Sequence, residues 1–280
     1  MNTLQKMDPA DYHARKTLYT VSKSSICDFA ASPSRFKFAY DSGEKKTTDA
    51  LAWGSLVDCL FLTPELVAKT YSITSLGLNK NSKNYKELKA GAEAKGRILI
   101  DSKMFDEASK AALILRHFAK ENGIVVGETH ESQVAMTYDV EVEGVKLELC
   151  GMADLFPVEP GNMVDLKTTG FNLADDEEVR RNIWKYRYHV QAAIYSAISN
   201  KIKPDFIKGF NLLMQESKPP YQCRMVRFTE DELYAGMSWF ESQLVSYANC
   251  LQNDGWQAPL PALEGGLPSW ALRREFEFGE

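Results

Sequence analysis

The chain has 280 residues, 44% of them hydrophobic and 25% charged, with a net charge of −5. That balance suffices for a substantial core, as a single α/β domain spanning 1–280 or a domain with appendages. No apolar run is long enough to cross a bilayer, the polar start Met-Asn-Thr-Leu-Gln-Lys does not resemble a signal peptide, and five scattered cysteines lack a Cys-x-x-Cys pair, so a reduced cytoplasmic protein without zinc, disulfides or membrane contact is expected.

Residues 1–20 carry no clear periodicity and are expected to form an extended arm. Ser22 caps a short helix to Ala31, and Pro33 opens another through Tyr40, tolerated in the first turn. Arg35 and Lys37 on that segment either reach DNA phosphate or form a solvated basic face. Asp49 to Thr63 reads as a helix with a buried stripe of Ala50, Trp53, Val57 and Leu60, stopped by Pro64. Gly54 and Asp58, four apart, stack on the flank of that stripe. From Gly77 to Arg97 basic residues dominate, with Lys80, Lys83, Lys86, Lys89, Lys95 and Arg97 against Glu87 and Glu93, which suits either a mobile surface loop and helix or, the reading preferred, a DNA-contacting flap. Asp101 to Asn122 is an amphipathic helix stopped at Gly123.

Two strands follow, Ile124 to Tyr138 and Val140 to Phe156, hinged near Glu143-Gly144. A two-residue loop there pairs Glu131 with Phe156 and Gln133 with Asp154. The stretch Cys150 to Gly170 then reads as a second hairpin around Glu159-Pro160-Gly161-Asn162. Centred on Pro160-Gly161, it puts Asp154 opposite Lys167 and Phe156 opposite Asp165. Because strand side chains alternate, Asp154, Asp165, Lys167 and Glu131 share one face, while Leu155 and Leu166 join a core on the other. Two carboxylates on diagonal positions, with Cα atoms about 7–8 Å apart, can bend toward one divalent cation with the lysine ammonium beside it.

Asp175-Asp176-Glu177-Glu178 begins a helix with acids at its positive end. Arg180, Arg181, Lys185 and Arg187 follow, interleaved with Trp184, Tyr186 and Tyr188, a mixture that suits nucleic-acid backbone and bases. The segment from Trp184 to Tyr195 reads as one helix with Trp184, Tyr188, Gln191 and Tyr195 in one sector and Val190, Ile194 and Ala197 opposite. Ile207 to Gln215 and Gln222 to Phe228 are paired strands, and Thr229-x-x-Glu232 is a capping box opening a long helix to about Cys250. Residues 251–280 are a tail. Four histidines show no metal-ligand spacing, and neither a Ser/Cys–His nucleophile pattern nor a phosphate-cradling glycine loop occurs.

Three elements in order, Gly151-x-x-Asp154, Val164-Asp165-Leu166-Lys167-Thr168 and Tyr188-x-x-Gln191-x-x-x-Tyr195, resemble the PD-(D/E)XK nuclease superfamily, and within it the RecB-like and RecE-like (exonuclease VIII) branch. Ser22-Lys-Ser-Ser-Ile-Cys-Asp-Phe-Ala-Ala-Ser-Pro33 and Trp53-Gly-Ser-Leu-Val-Asp58 resemble the opening segments of that branch, so the likeness covers roughly 22–270. It implies a central mixed β-sheet flanked by helices and hydrolysis of DNA phosphodiesters assisted by Mg2+ or Mn2+. Asp154, Asp165 and the Leu166 carbonyl would hold the metal, with Glu131 and Asp58 as further ligands; relatives carry a histidine at the position of Asp58. Lys167 would orient the attacking water, Gln191 would position water or phosphate, and Tyr188 and Tyr195 would shape the walls. Arg180, Arg181, Lys185, Arg187, Lys83, Lys86 and Arg35 are the candidate DNA contacts. By the same resemblance the substrate is linear double-stranded DNA digested 5′ to 3′ from an end, by a homo-oligomeric ring whose partner is a single-strand annealing protein of phage recombination. The clustered C-terminal cysteines of iron–sulfur relatives are missing. Rival readings are a structure- or site-specific endonuclease on the same core, a DNA-binding module with a decayed metal site, and a small-molecule phosphohydrolase, against which the basic aromatic helix speaks.

Overall fold

The structure is a computed structural model that describes residues 2–43, 48–75, 81–257, 262 and 266. In chain order come β1 (Thr3–Lys6), α1 (Pro9–Ala14), β2 (Thr20–Val21), α2 (Lys23–Ala31), α3 (Pro33–Ser42) and α4 (Asp49–Leu62). A 3-10 turn at Pro64–Leu66 leads to α5 (Val67–Thr70), β3 (Tyr71–Thr74), α6 (Lys83–Glu93), β4 (Ile98–Asp101) and α7 (Ser102–Glu121). Then follow β5 (His130–Val142), β6 (Val145–Pro157), β7 (Gly161–Thr169), α8 (Asp176–Lys185), α9 (Tyr188–Ile202), β8 (Ile207–Glu216), β9 (Cys223–Arg227) and α10 (Glu230–Asn253).

The helix starts follow their caps. Ser22 accepts from the Ser25 amide at 3.2 Å, Asp101 from the Met104 amide at 2.8 Å, and Thr229 and Glu232 form a reciprocal capping box. Glu143 and Gly144, both at positive φ (50° and 77°), make the two-residue turn that joins β5 to β6. The strand register on either side is the one the turn dictates, with Glu131 across from Phe156 and Val142 across from Val145.

Seven strands form one mixed sheet in the order β1-β5-β6-β7-β8-β9, with β2 added to β6. It is antiparallel except where β7 runs parallel to β8 and β2 runs parallel to β6. One face is covered by α2, α9 and α10, where Ile26, Ile194 and Phe240 pack on Met136, Met163 and Met214. The other face is covered by α4 and α7, where Leu56, Phe61 and Leu115 pack on Leu155, Val164 and Leu166. Apolar residues are thus inside on both faces of the middle strands, as a three-layer domain requires.

Three expectations are corrected. The first twenty residues are not an arm: β1 closes one sheet edge against β5, and β2 enters the sheet beside β6. Residues 124–129 are loop, so β5 starts at His130. Trp184 to Tyr195 is not one helix, since the chain breaks at Arg187, whose φ of 55° is left-handed. Among the described residues no helix is long and apolar enough to cross a membrane.

Candidate active site

The site forms where the sheet forks. β2 pairs with β6 at Glu148 and Leu149, and β7 pairs with β6 only at Leu155↔Val164, so strand β6 is bare between those contacts on that edge. The hairpin register expected from the Pro160-Gly161 turn is therefore shifted by two residues. Its parity is kept, so the same face is presented, and Asp154 comes level with Asp165 instead of Lys167. Asp154 fills the fork with its own carboxylate, whose Oδ2 accepts the Leu166 N–H at 2.8 Å. A strand residue turns its N–H and C=O to the same edge, so the Leu166 carbonyl faces the fork as well.

Asp165 is 2% exposed. Its Oδ1 accepts from Gln191 Nε2 at 2.6 Å, and its Oδ2 lies 2.5 Å from Lys167 Nζ without the geometry of a hydrogen bond. Gln191 reaches it because α9 covers the face that carries Met163, Asp165 and Lys167. Two further contacts fix that packing. A Cβ on Gly151 would overlap the Tyr195 ring, and a Cβ on Gly54 would stand 2.7 Å from Thr168 Oγ1, so α9 and α4 press closely on β6 and β7 at these points.

Burial raises the Asp154 carboxyl well above its ordinary range, the Asp165 charge adds to that, and Lys167 and the Leu166 amide oppose it. Burial likewise pushes Asp58 up to about 7, against the pull of Lys167. Burial alone would lower Lys167, but the charges of Asp165 and Asp154 outweigh it and hold the ammonium above the ordinary lysine range. Three carboxylates face one ammonium, with a buried carboxylate oxygen that accepts no hydrogen bond. All the donors are hard oxygens, and such a set fits Mg2+ or Mn2+. Among the described residues no three His, Cys, Asp or Glu side chains converge into a ready-made cage.

The fork opens into a cleft of about 690 Å³ that holds Asp58, Gln133, Asp154, Asp165, Lys167 and Gln191. Glu131, expected as a fourth carboxylate, is elsewhere: it is exposed and lines a separate cavity of about 720 Å³ with Arg116 and Lys120. The cause is local. Gln133 has a left-handed φ of 57°, which interrupts the strand alternation opposite Asp154 and turns a glutamine, not Glu131, to the site.

The residues expected to contact DNA fall on different parts of the structure. Tyr188 and Tyr195 do stand at the site: Lys167 Nζ is 5.4 Å from the Tyr188 ring centre, and Tyr195 borders the cleft. Arg187 instead pins the break between α8 and α9, its guanidinium 4.1 Å from the Trp184 ring and 5.0 Å from the Trp239 ring. Arg180 is ion-paired with Glu177 at 2.6 Å, and Lys83 lies 3.8 Å from Glu87. Arg35, Lys86, Arg181 and Lys185 are exposed and outside the cleft lining. Lys80 lies outside the described residues. Besides Lys167, the lysines that border the cleft among the described residues are Lys16, Lys23 and Lys69. Sequence reasoning passed over these three. Lys23 was legible only as part of the Ser22-Lys-Ser motif, and Lys16 was hidden in the segment read as an arm. Lys23 Nζ donates to the Tyr186 carbonyl at 2.6 Å and sits 5.5 Å from the Tyr188 ring, with its basicity lowered by burial.

Residues 22–259 match the family model described as a PDDEXK-like domain of unknown function (DUF3799). No curated protein matches the sequence. The crystal structure of a "Putative exonuclease" from Eubacterium rectale aligns over 96% of this chain and 98% of its own, with a TM-score of 0.64 at 17% identity, a likeness of fold. The crystal structure of SSO0001 aligns over 87% of this chain and 82% of its own at 15% identity, with a TM-score of 0.40 that carries no argument.

Proposed function

Because the chain belongs to the family of PDDEXK-like domains, and with it to the PD-(D/E)XK nuclease superfamily, we propose that it is a metal-dependent deoxyribonuclease acting on the ends of linear double-stranded DNA. The observation that carries this reading is the buried Asp165, held between Gln191 Nε2 at 2.6 Å and Lys167 Nζ at 2.5 Å, beside Asp154 in the fork. Mg2+ or Mn2+, held by Asp154, Asp165 and the Leu166 carbonyl, would polarise the phosphate and make water more acidic.

The chain's own residues supply the rest. Lys167 keeps its proton, so it acts as a fixed positive charge beside the attacking oxygen and the phosphate, not as a base. Gln191 locks the Asp165 rotamer, which preorganises both carboxylate oxygens. Asp58 faces the same cleft from α4 and takes the place of the family histidine as an oxygen ligand, directly or through water. Tyr195 walls the cleft, and the Tyr188 ring lies against the lysine. Lys16, Lys23 and Lys69 draw the phosphate backbone in despite the acidic net charge.

Resemblance to the RecE-like branch supports the finer reading: 5′ to 3′ digestion from an end, a homo-oligomeric ring around the duplex, a single-strand annealing protein as partner in phage-type recombination, and work in the cytoplasm. The test is incubation of the purified protein with end-labelled linear duplex and, separately, covalently closed circles, in Mg2+ with and without chelator. Degradation of linear DNA to mononucleotides with circles spared is expected. Nicking of circles would make it an endonuclease, and a folded protein that binds but never cleaves would make it a decayed DNA-binding module.

A further inference from the structure

Two neighbouring strands exchange faces at the same level of the sheet. On β6, Leu149 and Ala153 pack in the core beneath α9 and α10, and Gly151 between them meets the Tyr195 ring, so the odd-numbered residues face that side. Just beyond, Leu155 packs in the opposite core with Leu56 and Phe61 of α4, and Phe156 takes the α9 side. β5 does the same. Val134 belongs to the core beneath α9, whereas Ser132 lines the cavity formed with Phe61 and Leu62 of α4. The pairs on either side of the exchange are Val134↔Ala153 and Ser132↔Leu155, and the ladder steps over the residues between them, Gln133 and Asp154.

Side chains of a regular strand alternate, so an exchange of faces needs one residue out of the pleat. In β5 that residue is Gln133, whose φ of 57° lies in the left-handed region that glycine enters freely and most side chains avoid. The consequence falls on Asp154. Continued from Ala153, regular alternation would point Asp154 away from α9, and so away from Asp165, which accepts its 2.6 Å hydrogen bond from Gln191 of that helix. The exchange brings Asp154 level with Asp165 at the fork, where its Oδ2 accepts the Leu166 N–H at 2.8 Å. The Gln133 carbonyl accepts the Met7 N–H at 3.2 Å, which ties the kink to the segment after β1. A strained backbone setting persists where its surroundings over-determine it, and such settings collect where a site uses them.

We propose that Gln133 is a positioning residue whose left-handed backbone sets the exchange of faces that delivers Asp154 to the metal site. The role rests on the nuclease reading above for the identity of the site. It adds a residue that acts through its backbone, and it assigns the glutamine amide no contact with substrate.

The test compares Gln133→Ala with Gln133→Gly in the full chain, because both remove the same amide and only glycine takes a left-handed φ without strain. Melting is followed in EDTA and through a Mn2+ titration, and cleavage of linear duplex is measured beside it. In EDTA, Gln133→Gly should melt above Gln133→Ala, a difference that any strained position would give. The metal separates a positioning role from a merely structural one. Gln133→Ala should need about 10- to 100-fold more Mn2+ for half of its rise in melting temperature, the loss typical when the support behind a metal ligand is removed, and should cleave more slowly. Gln133→Gly should recover most of both. Equal Mn2+ midpoints for the two variants overturn the role, whatever their stabilities in EDTA. Should Gln133→Ala not fold, Gln133→Gly decides alone, since a tenfold or greater loss of Mn2+ affinity there would place the effect in the amide and overturn the backbone role. A wild-type protein that Mn2+ stabilises and that cleaves DNA, with alanine and glycine alike at 133, loses only this inference. A folded wild-type protein that no divalent ion stabilises and that never cleaves overturns the nuclease reading as well.

Discussion

Gly151 lies against the ring of Tyr195 so closely that a Cβ on residue 151 would overlap three of its ring carbons. The first and last residues of the two motifs that frame the site are thus one packing unit, joining β6 to α9. Tyr195 is 8% exposed. Gly151→Ala should cost about 1–3 kcal/mol of stability, read by urea unfolding. Because the cost comes from one contact, the double variant Gly151→Ala with Tyr195→Leu should be less destabilised than the two single changes added together. Simple additivity would mean that the glycine is present for some other reason.

The Asp165–Lys167 pair separates binding from chemistry. Lys167→Ala removes the ammonium that lies 2.5 Å from the Asp165 carboxylate, and Lys167→Gln keeps most of the volume without the charge. Both should lose about 10²- to 10³-fold in hydrolysis, a magnitude typical of a lost transition-state charge contact, while DNA affinity in Ca2+ stays within a few fold. Gln191→Ala should show a smaller loss of rate, because the Asp165 carboxylate loses its 2.6 Å anchor but keeps its charge. A Lys167→Ala protein that is folded and cleaves normally would remove that lysine from the mechanism.

Salt dependence tells cleft cations from surface ones. Lys16, Lys23 and Lys69 border the cleft, Lys69 with Asp8 3.9 Å away, whereas Arg180 and Lys83 stand outside it. If the three lysines meet phosphates, neutralising any two should flatten the slope of log affinity against log salt by about 0.9 per lost contact. The same change at Arg180 and Lys83 should leave the slope as it was. The reverse pattern would move the DNA path onto α6 and α8.

The sequence carried the fold far, because caps and turns are local. Ser22, Asp101, the Thr229–Glu232 box and the Glu143-Gly144 turn all act within a few residues, so helix starts and the long hairpin are written where they occur. The site was legible to the extent that strand parity is robust: a register shift of two residues between β6 and β7 left Asp154, Asp165 and Lys167 together. What failed was anything that depends on a departure from regularity. One left-handed residue, Gln133, exchanged Glu131 for itself in the cleft, and another, Arg187, split a helix that periodicity had joined. Basic clusters are hard to weigh from sequence for a different reason. A run of lysines is visible in sequence, but the helical acids three or four residues away that neutralise it, such as Glu177 for Arg180, count only once geometry is known.

The final expectation concerns pH and metal removal. In the metal-free protein Asp58 is pushed up to about 7, first by burial and then by Asp165, with Lys167 opposing, and Asp154 is raised in the same direction. An unfolded aspartate titrates near about 3.9. A folded-state value above the unfolded one means that the folded protein binds the extra proton. Its contribution to stability is therefore complete below about pH 4 and is lost as pH climbs toward 7. Melting temperature in EDTA should accordingly fall across that window, apart from the general acid unfolding that affects all the exposed carboxylates. Mg2+ or Mn2+ needs the carboxylates deprotonated, so the stabilisation it gives by mass action should be small at pH 5 and grow toward pH 8. Asp58→Asn removes one titrating group and one ligand together. It should flatten the EDTA profile, reduce the metal-induced rise in melting temperature and slow the nuclease, while Asp58→His, with a neutral nitrogen in the same place, should recover part of the rise and part of the rate. A wild-type EDTA profile that Asp58→Asn leaves unchanged, together with a full metal shift and full activity, would make Asp58 a bystander on α4 and leave the site to Asp154, Asp165 and the Leu166 carbonyl.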